Sequence, residues 1–205
     1  PDYLPGHAHA DTLSFELSLF GQRCIVDAGC STYEVGEERL RQRGTAAHNT
    51  ICVDDANSSE VWSSFRVARR ARPKDVRVAA ERDHISVAAS HDGYERLPGK
   101  VRHHRKFELS DGSFVVKDQL DGSYAHAVAG LLLHPDVDVA AADSGFVLSI
   151  GDRTATLEFE DGEPSVESAD WNPEFGVSLP TSRIRVTLTG ATLVTRLTWR
   201  GRAQF

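Results

Sequence analysis

The stretch Leu13-Ser14-Phe15-Glu16-Leu17-Ser18-Leu19 alternates apolar and polar side chains without interruption. Neighbouring side chains of a strand point to opposite faces, so a period of two describes a strand with one face buried and one wet. Gly21-Gln22 then turns the chain, and the run from Arg23 to Asp27 follows. The spacing predicts a hairpin.

The same short-period runs recur around 51–53, 76–80, 84–90, 101–109, 113–119, 124–133, 145–150, 154–160, 182–189 and 191–199. Asp92-Gly93, Asp111-Gly112, Asp121-Gly122, Ser144-Gly145, Asp161-Gly162 and Thr189-Gly190 separate many of them, and such pairs favour tight turns. Together they predict an all-β fold, a large antiparallel β-sandwich of stacked sheets. Glu37 to Arg43 is the only stretch of helical composition. It is highly charged and lacks an apolar stripe, so it reads as a solvated loop. No repeat, low-complexity tract or linker interrupts the chain, and residues 1–205 read as a single domain.

A chain of 205 residues can bury a substantial core. No apolar run approaches the ~20 residues needed to span a bilayer, and nothing at the amino end reads as a signal peptide. The chain holds no Met and opens on Pro1-Asp2, which leads us to expect an excised fragment whose targeting sequence lies elsewhere. A net charge of -7 argues against a nucleic-acid partner. It also leaves any anionic substrate to be met by a local basic surface. Cys24, Cys30 and Cys52 are odd in number and lack metal-site spacing, so neither a disulfide scaffold nor a zinc knuckle is indicated. Cys24 and Cys52 lie among apolar residues and read as small buried hydrophobes.

Chemistry concentrates near the amino end, in Gly6-His7-Ala8-His9-Ala10-Asp11, Ile25-Val26-Asp27-Ala28-Gly29 and Ala47-His48-Asn49-Thr50. If the first segment is extended, His7 and His9 share a face. The hairpin returns Asp27 towards His9, and His48 opens the run Ile51-Cys52-Val53. Two imidazoles and a carboxylate suit zinc with a fourth position open, and the same set suits iron or manganese. The structural alternative is a turn residue at Asp27 beside an ordinary His-X-His pair. A cupin, the competing metal β-fold, would place a carboxylate where this chain has Leu13 or Ser14.

The run Leu4-Pro5-Gly6-His7-Ala8-His9-Ala10-Asp11-Thr12-Leu13-Ser14-Phe15-Glu16-Leu17 resembles the opening of the carboxy-terminal β-domain of heparinase II/III-type polysaccharide lyases. Ile25-Val26-Asp27-Ala28-Gly29, Ser31-Thr32-Tyr33 and Arg43-Gly44-Thr45-Ala46-Ala47-His48-Asn49-Thr50 continue the resemblance. So do Ser59-Glu60-Val61-Trp62, Phe65-Arg66-Val67, His91-Asp92-Gly93-Tyr94, Leu133-His134-Pro135 and Pro173-Glu174-Phe175-Gly176. The resemblance implies that His9, Asp27 and His48 are zinc ligands and that His7 is a catalytic histidine reaching the scissile sugar. It implies an acidic polysaccharide substrate, cleaved at uronic acids by β-elimination. It further implies an amino-terminal α/α toroid that supplies the catalytic tyrosine and the Asn or His neutralising the uronate. Nothing in this chain resembles that toroid, and Tyr3, Tyr33, Tyr94 and Tyr124 do not match its tyrosine. The isolated domain is therefore expected to be inactive. A bacterial periplasmic or secreted setting fits this family.

Two other readings stand beside it: a non-catalytic carbohydrate-binding or structural β-domain, and a cupin-like metal-dependent enzyme. His91 to Tyr94 reads as a structural turn, and His134 as a packed histidine. Lys100-Val101-Arg102-His103-His104-Arg105-Lys106 reads as a solvated basic strand or the lining of a groove for an acidic glycan. Trp171 with Pro173 to Gly176 suits either a packed loop or a sugar-stacking surface. Arg66, Arg69, Arg70 and Arg72 form a surface cluster.

Overall fold

The computed structural model describes residues 5–200; residues 1–4, which include Tyr3 and Leu4, and residues 201–205 lie outside the described part. In chain order the strands are β1 Leu17–Leu19, β2 Gln22–Ile25, β3 Ile51–Val53, β4 Val61–Trp62, β5 Arg66–Val67, β6 Pro73–Glu81, β7 His84–His91 and β8 Arg102–Ser110. They continue with β9 Ser113–Asp121, β10 Ala127–Leu132, β11 Val137–Ala142, β12 Gly145–Ile150, β13 Arg153–Glu160, β14 Gly162–Trp171, β15 Leu179–Leu188 and β16 Thr192–Trp199. Eight of them form a sheet in the order β11-β12-β13-β16-β9-β8-β7-β6, and four form a second in the order β14-β15-β10-β3. Every pairing between these strands is antiparallel.

The alternation read from the sequence is what stacks the two sheets. On β16, Leu193, Thr195, Leu197 and Trp199 are buried while the residues between them are not. Leu193, Leu197 and Trp199 join Phe114, Val116 and Leu157 of the same sheet in one apolar cluster with Ile51, Leu131, Ile184 and Val186 of the smaller sheet. The all-β sandwich follows from this arrangement.

Near the amino end the strand reading needs correction. The hairpin exists, with Leu19 opposite Gln22. Its turn uses Phe20 and Gly21 at φ 55° and 76°, the left-handed pair that suits a two-residue hairpin turn. The first strand, however, begins only at Leu17, because Leu13 takes φ 65° and breaks the extended run. Pro5–His7 is a single 3-10 turn, so His7 and His9 do not share a strand face. Glu37–Arg43 is a helix, α1, rather than a solvated loop, and it buries Arg39, Gln42 and Arg43.

Candidate metal centre and its surroundings

His9 is held by its flanking backbone. The Arg43 guanidinium donates to the Ala8 carbonyl at 3.1 and 2.9 Å, and the Ala10 N–H donates to the Arg43 carbonyl at 2.9 Å. The Ala10 carbonyl accepts from the Thr45 hydroxyl at 2.8 Å and from Ser58 at 3.2 Å. Arg43 also donates to the Ser63 and Ser64 carbonyls, so a fully buried cation is met by main-chain oxygens instead of a carboxylate. Helix α1 thus serves as a frame for the segment that carries both histidines.

Asp27 follows β2, and its shape depends on Gly29. There φ is 69°, and an added Cβ would stand 1.9 Å from the Asn172 carbonyl oxygen, a position only glycine tolerates. The Gly29 N–H then donates to Asp27 Oδ2 at 3.1 Å. His48 leaves the 3-10 turn Thr45–Ala47 just before β3. Its Nδ1 donates to Asp27 Oδ1 at 2.6 Å, and its Nε2 is buried with no partner among the described residues. The His9 and His48 rings stand 5.2 Å apart.

The structure therefore brings His9, Asp27 and His48 together. Burial opposes the charge of Asp27, but the His48 hydrogen bond and charge and the Gly29 N–H outweigh it and hold the carboxyl below its ordinary value. Burial, reinforced by His48 and Arg39, lowers His9 to about 4, so its imidazole is neutral near pH 7. Two imidazoles, one of them with an orphaned buried nitrogen at His48 Nε2, and one carboxylate make a donor set that fits zinc. Among the described residues no three His, Cys, Asp or Glu groups stand in metal-binding geometry as they are. His9 is engaged instead by Arg39, whose Nη1 lies 3.3 Å from His9 Nε2. A guanidinium only donates, so His9 Nε2 is the acceptor and its one lone pair faces Arg39.

Arg39 was not singled out from the sequence, because an arginine in a charged segment reads as solvent-facing. It is buried, reaches the Ser64 carbonyl at 3.2 Å and Cys30 Sγ at 3.0 Å, and lies over the Tyr33 and Phe65 rings. The same two rings pack against exposed His7, with centroids at 5.2 and 5.5 Å. His7 and Arg39 thus share the Tyr33 and Phe65 rings, and Arg39 in turn meets His9. Asn49, also missed, ties the region together. It donates to the Phe15 and Val26 carbonyls at 2.8 and 2.9 Å and accepts from the Leu132 N–H at 2.8 Å.

The remaining candidates sort by burial. Tyr94 is fully buried and donates to the Ile51 carbonyl, which makes its turn structural. His134 packs on Trp171, which is itself buried, so Phe175 is the exposed ring of that loop. The basic segment divides: His103 and Arg105 turn into the core, against its reading as one solvated face, while His104 and Lys106 face outward. Cys24 is buried and Cys52 partly so, and none of the three cysteines is in a disulfide. No helix among the described residues is long and apolar enough to cross a membrane.

The family model described as "Heparinase II/III-like, C-terminal" matches residues 1–200. No curated protein sequence matches the chain. Among solved structures it is similar to the heparan sulfate lyase HepC from Pedobacter heparinus, with a TM-score of 0.76, 18% identity, and coverage of 97% of this chain and 32% of that one. A mutant of that enzyme gives 0.74 and 18%, covering 98% and 32%. A structure named heparinase III gives 0.75 and 16%, covering 97% and 31%. The chain therefore spans about a third of the length of these solved relatives, and the likeness establishes a shared fold.

Proposed function

Because this chain belongs to the heparinase II/III-like C-terminal family, we propose that it is the β-sandwich part of a polysaccharide lyase. It would contribute one side of a site that cleaves uronic-acid-containing glycans by β-elimination. The observation that carries this reading is the exposed His7 ring, seated on Tyr33 and Phe65, the same two rings that pack on Arg39 beside the His9–Asp27–His48 cluster.

In β-elimination a base removes the proton on the carbon beside the uronate carboxylate. The electron pair forms a ring double bond, the bond to the 4-linked oxygen breaks, and that oxygen leaves with a proton. The hydrogen is weakly acidic until the carboxylate charge is neutralised, so a base and a neutralising group must meet around one sugar. His7 is exposed and held by rings on two sides, which suits it to hold or move that proton. The chain accounts for 32% of the solved HepC chain, which supports a split site. Its other part, an α/α toroid, would bring the tyrosine and the neutralising Asn or His.

His9, Asp27 and His48 would hold a zinc ion, His9 exchanging its Arg39 hydrogen bond for the metal. Bound zinc would cross-link the three segments and fix the platform beneath His7, since elimination needs no activated water. The test is the intact natural protein on a panel of uronate polymers, read by the ultraviolet absorbance of the unsaturated product. We expect product from at least one polymer, and a loss of about 10²-fold or more in rate for His7→Ala, the scale of acid–base catalysis. No product from any polymer, or a His7→Ala variant with full rate, would overturn the reading.

A further inference from the structure

The face of the eight-stranded sheet turned away from the core carries an open groove of about 520 Å³. Strand register aligns Arg77, Ala88, Lys106, Lys117 and Val194 in one row across five strands. Strands stand about 4.8 Å apart, so Lys106 and Lys117 are one spacing from each other and Arg77 is two from Lys106. The next row reads Ser90, His104, Gln119 and Thr192. The floor is built of small side chains at Ala88 and Ser90, which leaves the cations standing above it.

Like charges placed directly opposite one another repel. Here one carboxylate serves both lysines: Glu108 takes Lys106 at 2.7 Å and Lys117 at 2.6 Å. Arg77 makes no ion pair among the described residues. Of the groove's other acids, Asp118 is turned into the core against Arg105, and Asp75 accepts the Ser90 hydroxyl. The row keeps a cationic surplus, flanked by hydroxyl, amide and imidazole groups. No aromatic side chain lines it, which separates it from the stacking platforms that take single-stranded nucleic acid.

We propose that this groove is a second carbohydrate-binding site, in which an acidic oligosaccharide lays its anionic groups along Arg77, Lys106 and Lys117. Its hydroxyls meet His104, Gln119 and Thr192. The choice of ligand rests on the polysaccharide reading above, although the groove shares no residue with the cluster around His7. Such a site would hold a long polymer on the enzyme without taking part in its cleavage.

The test is affinity electrophoresis of the intact protein, carrying His7→Ala to stop turnover, through gels containing a polyuronate, heparan sulfate, neutral dextran or a single-stranded oligonucleotide. An acidic glycan should retard the protein, dextran should not, and the double variant K106Q/K117Q should bind at least about tenfold more weakly, since even one lost charge-assisted contact is worth about that much. K106R/K117R should restore binding, which separates a charge effect from a folding defect. With His7 intact, K106Q/K117Q should cleave short oligosaccharides at the parent rate. Unchanged retardation of the double variant, equal retardation by dextran or by the oligonucleotide, or slowed cleavage of short substrates would each overturn the proposal. Retardation lost in K106Q/K117Q from a protein that cleaves no uronate polymer would leave the groove standing and remove the lyase reading instead.

Discussion

Asn49 shows how much one side chain can carry when three segments meet on it. Its amide closes two carbonyls and one N–H that lie in buried or partly buried surroundings. Asn49→Ala leaves them unpaired, and we expect a loss of about 3 kcal/mol in urea unfolding, since each orphaned buried polar group costs about 1–3 kcal/mol. His48→Ala acts differently, because it removes a donor to the proposed metal. Zinc added to the metal-free parent should raise its melting temperature by mass action, and the variant should not respond. Calorimetry with and without zinc reads both. That His9, Asp27 and His48 belong together was legible through the family resemblance, since a His-X-His pair and a turn aspartate are ordinary by themselves. Arg39, Asn49 and the Tyr33 contact with His7 were not, because they depend on which charged side chains turn inward, and composition carries no sign of that.

Helix α1, Glu37–Arg43, is the element the sequence hid. Without an apolar stripe it looked solvated, yet its inward face is made of arginines whose donors meet main-chain carbonyls. Arg43→Lys keeps the charge but loses the fork that spans Ala8, Ser63 and Ser64. It should destabilise the protein by roughly 2–3 kcal/mol and expose the segment around His7 and His9 to limited proteolysis. Normal stability with unchanged proteolysis would mean the helix does not frame that segment. The strands were easier to read. The runs at 113–119 and 191–199 have one apolar face, and they became β9 and β16 near their expected bounds. Strand β14, Gly162–Trp171, was missed because it lies at the edge of its sheet and is mostly exposed, so little in it had to alternate.

Across the whole molecule, a buried polar chain links the large sheet to the loops around His48. Gly93 N–H donates to His91 Nδ1 at 3.1 Å, so His91 Nε2 carries the proton and donates to His103 Nδ1 at 3.1 Å. His103 Nε2 donates to Asp118 at 2.5 Å, and Arg105 joins Asp118 to the Leu13 and Asn49 carbonyls. Burial and the neighbouring His103 lower His91 from 6.5 to about 3. The unfolded chain therefore takes up a proton at His91 below about 6.5 that the folded chain refuses. Stability from this residue is complete above that pH and falls as pH drops towards about 3, by at most about 1.4 kcal/mol per pH unit. Asp118 adds a second loss at lower pH. Burial opposes its charge, but Arg105 and His103 prevail and hold it at about 2, so its contribution disappears as pH falls from 3.8 through that value. Urea unfolding at a series of pH values should show the decline between 6 and 4, and His91→Asn should make it shallower while the contribution of His9, also lowered by burial, remains.

The proposed active site is also a property of the whole molecule: it would be divided between this sandwich, with His7 towards the sugar, and a second domain gripping the same sugar. Proton removal beside a carboxylate needs both groups held around one ring. The most direct measurement compares the intact protein with residues 1–205 alone on the same uronate polymer, following the ultraviolet absorbance of the unsaturated product. The intact protein should release product steadily and the isolated chain none, even when circular dichroism shows that chain to be folded. Robust elimination by residues 1–205 alone would contradict a divided site.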